Sequence, residues 1–272
     1  MRGGRVNVLI THECSGMVSG EFRKLGHNAY SCDLKPSEVH CDHRHIIGDA
    51  IEAINRGCET ITLKGTVEYQ PWHLIGMHCD CTYLNSAGLH WNNRGRGHEK
   101  TEAALQHVRD CMEAATKHAR VGWYLENPAG RIGTAIRPWD QYVQPYMFGD
   151  DASKTTGLWL HGLPKLQIPW HDDWVKPRWV CPKCKRVSTD ADSACWVYGG
   201  NIRSLRGCRM CHVCDGHIKL AARWGNQTDS GQNKLAPGPT RAADRARTYQ
   251  GIARAMAAQW GNLQPPTPGE SG

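Results

Sequence analysis

The stretch Val6-Asn7-Val8-Leu9-Ile10-Thr11-His12-Glu13-Cys14-Ser15-Gly16 decides the fold. A short apolar run, Val6 to Ile10, breaks into polar and small residues, and the spacing then predicts a helix over Val18 to Leu25 that Gly26 stops as a C-cap. Asn28 to Cys32 reads as a second strand ending at Asp33. Strand, turn, helix and strand in that order open a doubly wound α/β sheet, whose ligands bind at the carboxyl ends of the strands.

Working outward, Ile46 to Asp49 reads as another short strand end, and Trp72 to Met77 as an apolar strand closing at His78-Cys79-Asp80-Cys81. Glu99 to Ala119 carries Ala, Leu, Val, Met and Cys three and four apart and predicts a long helix. Val121 to Leu125 predicts a strand with Glu126-Asn127-Pro128 opening the loop behind it. Polar residues thus end several strands on one sheet edge, which is how α/β enzymes assemble a site. Past Pro164 the texture changes. The expected division is a catalytic domain over 1–169 and 227–263, a cysteine-rich insert over 170–226 and a disordered tail over 264–272. Gln227 to Pro239 reads as a flexible linker and Arg241 to Trp260 as one amphipathic helix.

The chain has 272 residues, enough for one substantial core and a small insert. No run of about 18 apolar residues predicts a membrane span, and the amino terminus lacks the apolar stretch of a signal peptide. A soluble, cytoplasmic monomer is the expectation. The formal charge of +7 favours a polyanionic partner. The 13 cysteines, an odd number, read as metal ligands, a nucleophile and buried thiols rather than a disulfide framework.

Four constellations carry chemistry. The turn Glu13-Cys14-Ser15-Gly16 points backbone N–H groups at a small polar ligand, with Asp33 placed to accept from ribose hydroxyls; an ordinary βαβ turn with a solvated aspartate is the plainer reading. Cys81 at a strand tip is a candidate nucleophile or a buried thiol. The adjacent charge of Asp80 opposes thiolate formation and His78 can offset it. His78, Cys79 and Cys81 together could hold a metal, although ligands so close in sequence strain one coordination sphere. Glu126 beside Asn127 can read the edge of a base, or merely cap a loop. Finally, Cys181-Pro-Lys-Cys184 and Cys208-Arg-Met-Cys211-His-Val-Cys214 supply the CxxC pairs of a structural Zn²⁺ site. Cys181, Cys184, Cys211 and Cys214 are the expected ligands, with Cys208 as the rival. Around them Lys183, Lys185, Arg186, Arg203, Arg206, Arg209 and Lys219 suit phosphates or guanine edges, or form a solvated basic face.

As an ordered set, these stretches resemble the DNA cytosine-5 methyltransferases, in particular their short phage- and prophage-encoded branch. The matching stretches are Val8-Leu9-Ile10 through Gly16, Ser31-Cys32-Asp33-Leu34, Gly48-Asp49, Cys81-Thr82-Tyr83-Leu84 and Leu125 through Gly130. They continue with Gln144-Pro145-Tyr146, Phe148-Gly149, Lys154-Thr155, Leu158-Trp159-Leu160, Gly162-Leu163-Pro164 and Gly251-Ile252-Ala253. The resemblance implies a methyltransferase-type Rossmann-like fold, and the cysteine-rich insert, read from its spacing as zinc-binding, occupies the place of the family's DNA-selecting element. It implies an S-adenosylmethionine site lined by Glu13, Cys14, Ser15 and Gly16, with Leu34 and His78 beside it. Asp33 would hold the ribose and Asp49 the adenine. Cys81 would attack carbon 6 of a flipped-out cytosine while Glu126, next to Asn127, holds a proton at ring nitrogen 3. The chain departs from the family at Cys79-Asp80, where two prolines usually stand. No Gln-x-Arg element is evident, and Lys154 stands near where a basic residue is expected. The departure leaves open ordinary methyl transfer, a modified donor such as carboxy-S-adenosylmethionine, and a catalytically inactive DNA-binding protein. A thiol- or metal-based enzyme centred on His78, Cys79 and Cys81 is a further alternative.

Overall fold

The computed structural model describes residues 5–61, 65–184, 187–188, 210–211, 218–235, 237–238 and 241–264. They form two compact units. The first comprises residues 1–143, 155–168 and 242–272, the second 144–154 and 169–241.

The first unit runs β1 (Asn7–Thr11), α1 (Met17–Lys24), β2 (Asn28–Asp33), β3 (His45–Ile47), α2 (Ala50–Arg56), a hairpin of β4 (Cys58–Ile61) and β5 (Val67–Gln70), and β6 (Trp72–Met77). It continues with α3 (Ser86–Leu89), α4 (Glu99–His118), β7 (Ala119–Pro128), α5 (Ile132–Ala135), β8 (Gln141–Val143) and β9 (Thr156–His161). The helices α6 (Arg241–Ala246) and α7 (Gln250–Trp260) close the chain. Seven strands make one sheet in the order β3-β2-β1-β6-β7-β9-β8. All its pairings are parallel except those of β9, which runs antiparallel to β7 and β8. The fold is therefore α/β with a mostly parallel sheet, compatible with a Rossmann-like arrangement.

The central strands are apolar nearly throughout because helices cover both faces. Alternate residues sort to opposite sides. Leu9, Cys32, Ile75, Met77 and Leu125 pack with Ala50, Ala53 and Ile54 of α2 and Leu105, Val108, Cys111 and Ala115 of α4. On the other side the Tyr124 ring packs at a tilt against Trp260 of α7, ring centres 5.0 Å apart, and α7 packs along α1. A Cβ on Gly76 would run into the Tyr124 ring, so the residue opposite that phenol must be glycine.

Two expectations shift here. Glu126 and Asn127 belong to the strand, not to a loop after it: β7 continues to Pro128 because β9 supplies partners Leu158, Gly157 and Thr156 across from Glu126, Asn127 and Pro128. The carboxy-terminal helix is two helices. The chain breaks over Arg247–Tyr249, and the buried Thr248 turns its hydroxyl to within 3.2 Å of His78 Nδ1.

In the second unit β10 (Arg178–Val180) lies between β11 (Val187–Ser188) and β14 (Ala221–Arg223), and β12 (Met210–Cys211) pairs with β13 (Ile218–Lys219). Gln144–Lys154 belongs to this unit, beyond the boundary drawn at 170. Its Tyr146 ring stacks on Trp224 at 4.5 Å, Gly225 N–H donates to Asp151, and the Asn226 amide both accepts from and donates to the Ser153 backbone. The segment read as a flexible linker is a bonded turn where it is described. Thr228 N–H donates to the Gln232 carbonyl, Gly231 N–H to that of Thr228 and Lys234 N–H to that of Asn226. The tail called disordered lies, from residue 265, outside the described residues.

Candidate functional site

In the strand order β3-β2-β1-β6-β7 the winding reverses between β1 and β6, and a crevice opens at the carboxyl ends of strands at such a point. His12 and Glu13 follow β1, Asp33 ends β2, Asp49 follows β3, and His78 to Cys81 follow β6. Glu126 and Asn127 are the residues of β7 just before its terminal Pro128.

The first turn is built around Glu13. Its buried carboxylate accepts the Val18 N–H at 2.6 Å and the Ser19 N–H at 3.1 Å, capping α1 where Gly16 has no side chain to do so. Gly16 itself has φ 66°, and a Cβ there would meet Val39 at 2.8 Å. Asp49 caps α2 by accepting from Ile51 and Glu52 N–H groups. Asp33 is half-buried and accepts the Lys35 N–H. Beside it Leu34 is 76% exposed, and Ile47 of β3, the register partner of Asp33, is 65% exposed. Cys14 donates to Glu38, and burial, then Asp33 and Glu38, raise its thiol above the ordinary value.

The loop after β6 divides its residues among different partners. His78 turns to β7: its Nδ1 lies 3.0 Å from Glu126 Oε2 and its Nε2 3.0 Å from the Tyr124 hydroxyl. Burial, then Glu13 and Glu126, hold the Tyr124 phenol well above its usual range, so it stays protonated and donates. With the phenol donating at Nε2, the His78 tautomer that carries its proton on Nδ1 presents an N–H to Glu126. Cys79 is buried, and its carbonyl accepts from Asn127 Nδ2 at 2.8 Å. Asp80 faces solvent, its Oδ1 accepting from the Thr82 N–H at 2.8 Å and hydroxyl at 2.6 Å in an Asx-turn. Cys81 is half-buried, with the Asn85 amide donating to its sulfur at 3.6 Å and to its carbonyl at 2.7 Å. The loop is docked on the end of β7 by the Arg131 N–H donating to the Leu84 carbonyl and by the Asn85–Gly130 bridge. The contact is close enough that Gly130 admits no Cβ.

His78, Cys79 and Cys81 therefore do not share one metal sphere; only Cys79 enters a cluster. Among the described residues one group of His, Cys, Asp or Glu could hold a metal ion: His12, Cys79, His107 and Cys111, with ligand atoms all within 4.8 Å of one another. Nε2 of His12 lies 2.9 Å from Nε2 of His107, and Cys111 Sγ lies 3.6 Å from the latter. The two thiols are hydrogen-bonded to one another. Hydrogen bonding with Cys111, then burial, push Cys79 up, while the Cys79 hydrogen bond, with His107 adding to it against the cost of burial, pulls Cys111 down to about 6. Burial, then His107, lower His12 to about 4. The sequence reading missed His12, His107 and Cys111. The available signal was His107-x-x-x-Cys111, one helical turn apart on the face of α4 that meets the sheet.

In the second unit Cys181 is buried at the end of β10, and the Cys184 N–H donates to its sulfur at 3.5 Å. Cys211 is placed by its backbone on β12, and Cys208 and Cys214 lie outside the described residues. The Lys154 N–H donates to Gln144 Oε1. Among the described residues no helix is long and apolar enough to cross a membrane. Comparison of the chain with models of known protein families finds no match, and comparison with curated proteins finds none either.

Proposed function

We propose that the chain is a DNA cytosine-5 alkyltransferase that works through a covalent bond between Cys81 and carbon 6 of the base. The observation that carries this reading is the joint between the Cys81 loop and the strand of Glu126. Asn127, next to Glu126, holds the Cys79 carbonyl, and Asn85 donates to the Cys81 sulfur. The loop that carries the thiol is thus fastened to the strand that carries the carboxyl group.

The fit for S-adenosylmethionine rests on the β1–β2–β3 edge. An exposed apolar pair, Leu34 and Ile47, borders the Asp33 carboxylate, which suits a ring beside a ribose. The turn after β1 bends through the positive φ of Gly16, where Val39 fills the space a Cβ would take. Glu13 and Asp49 serve by capping the two helices that frame this edge. When bound, the cofactor or a carboxylated derivative supplies an electrophilic alkyl carbon.

Base flipping exposes the target ring at a cost of about a few kcal/mol. The Cys81 sulfur, which accepts from the Asn85 amide, adds as its thiolate to carbon 6. Glu126 holds the proton at nitrogen 3, so the electron pair moves to carbon 5, which would take the alkyl group as the donor's sulfur–carbon bond breaks and the donor leaves as its thioether. Loss of the carbon-5 proton then expels Cys81. His78, aligned by Tyr124 and Thr248, is a positioning residue for Glu126. The Asn127 Oδ1 atom supports base recognition as well. It is buried without a hydrogen-bond partner among the described residues, and such a lone acceptor costs about 1–3 kcal/mol unless a ligand donor or water meets it. A cytosine exocyclic amine is such a donor. For the second unit, the Cys184 N–H on the Cys181 sulfur supports a zinc knuckle as the DNA-contacting module.

The test uses the full chain, S-adenosylmethionine and random-sequence duplex DNA carrying 5-fluorocytosine. A denaturation-resistant protein–DNA adduct that maps to Cys81 is expected, because fluorine at carbon 5 blocks the final elimination. Reversible DNA binding with no adduct overturns the reading in favour of an inactive DNA-binding protein.

A further inference from the structure

The geometry points to a four-ligand metal site, of the Zn²⁺ class, formed by the buried Cys79 and Cys111 with the half-buried His12 and His107. Its four ligands come from three places in the chain: the tip of β1, the loop after β6 and one face of α4. Around tetrahedral zinc, Zn–S near 2.3 Å and Zn–N near 2.0–2.1 Å put ligand atoms about 3.3–3.8 Å apart. The observed 2.9 Å between the imidazole nitrogens and 3.6 Å between Cys111 Sγ and His107 Nε2 reach that figure through shifts of about half an ångström. Two thiolates and two neutral imidazoles balance a divalent charge, so the bound ion adds no net charge to an interior where both sulfurs are buried.

A second observation is independent of the cluster's hydrogen bonds. His12 has φ 58°, a left-handed conformation that non-glycine residues adopt at a cost of order 1–3 kcal/mol. That conformation stands at the ligand contributed by β1. Thr11 Oγ1, 3.1 Å from His12 Nδ1, orients the ring, as an outer-shell partner does for a ligating histidine.

The site also accounts for the pair that departs from the family pattern. Cys79 stands where the resembled enzymes carry a proline. As a ligand it would tie the Cys81 loop to β1 and α4, replacing the stiffness of a pyrrolidine ring by a coordinate bond, while Asp80 turns outward. This consequence for Cys81 rests on the proposed alkyl transfer; the metal site does not.

The test counts metal in the full chain by inductively coupled plasma mass spectrometry and then substitutes Co²⁺. Cys111→Ser is expected to lose one equivalent relative to the parent, and His107→Cys, which offers a thiolate in place of the imidazole, to retain it. If Cys111→Ser does not fold, the joint Cys181→Ser, Cys184→Ser protein carries the decision. It is expected to keep one equivalent whose Co²⁺ form shows thiolate charge transfer and tetrahedral d–d bands. Unchanged metal content in folded Cys111→Ser, or no thiolate–cobalt absorption in the joint variant, overturns the site. Neither readout depends on DNA, so the metal site and the alkyltransferase fail separately.

Discussion

Cys181 and Cys184 meet through a single turn, whereas Cys79 and Cys111 meet only after a helix has folded against a sheet. The first pair is a local arrangement, with Cys184 exposed, in a unit whose described strands are two or three residues long. The second lies under α4 in the main core, with two histidines for company. The difference teaches where a ligand set is written. A knuckle is encoded in spacing, and its metal must supply what a small apolar core cannot. A buried cluster is encoded in topology, and the surrounding core does most of the organising before an ion arrives.

The largest effect separates nucleophile from ligand. Cys81→Ser should lower alkyl transfer by roughly three orders of magnitude or more and abolish the 5-fluorocytosine adduct, with metal content unchanged. Cys181→Ser should do the converse, lowering bound metal and weakening DNA binding while leaving donor binding intact; calorimetry with each ligand and metal analysis read both. Covalent capture that survives Cys81→Ser breaks the assignment.

Metal release sharpens the contrast further. Under a strong chelator the exposed knuckle should lose its ion at least about tenfold faster than the buried cluster, whose opening requires local unfolding. Release in one phase, followed by a colorimetric chelator, would mean that burial does not separate the two.

Gly76→Ala probes the core that supports the cluster side of the comparison. Its Cβ collides with Tyr124, and overpacking of this kind costs about 1–3 kcal/mol. Chemical denaturation should show the loss, along with a weakened His78–Glu126 contact. Loss below about 0.5 kcal/mol would mean that the phenol can move aside.

The smallest effect is a pH control on an ion pair away from both clusters. Burial raises the Asp42 carboxyl, but the Arg23 guanidinium at 2.8 Å and the Arg44 N–H outweigh it, and the net shift is downward. A carboxyl depressed in the folded state stabilises fully above its unfolded value, and that contribution is lost as the pH falls through the lower, folded value. Asp42→Asn should therefore cost about 1 kcal/mol or less at neutral pH and flatten the acid limb of the stability curve below about pH 4. An unchanged acid limb would show that the pair contributes nothing.

Much of the frame was legible in the chain. The run Val6 to Ile10 with its polar break, the stop at Gly26 and the three- and four-residue spacing of Glu99 to His118 set local structure through short-range periodicity. The end of β7 was not legible, because Glu126 to Pro128 are extended only through pairing with β9, a partner distant in sequence. Nor was the break at Arg247–Tyr249, where an amphipathic pattern continues and a tertiary contact to His78 accompanies the turn.

By itself the sequence determined the α/β alternation, the strand-tip position of Asp33 and the loop after β6 that carries Cys81, since each depends on neighbours within a few residues. Only the tertiary structure decided that His78 belongs to Glu126, that Cys79 and Cys81 turn to different partners, and that His12, His107 and Cys111 converge on Cys79. The physical reason is that side-chain direction at a strand tip is fixed by whatever packs across it, and that neighbour is chosen by strand order and helix placement rather than by adjacent residues.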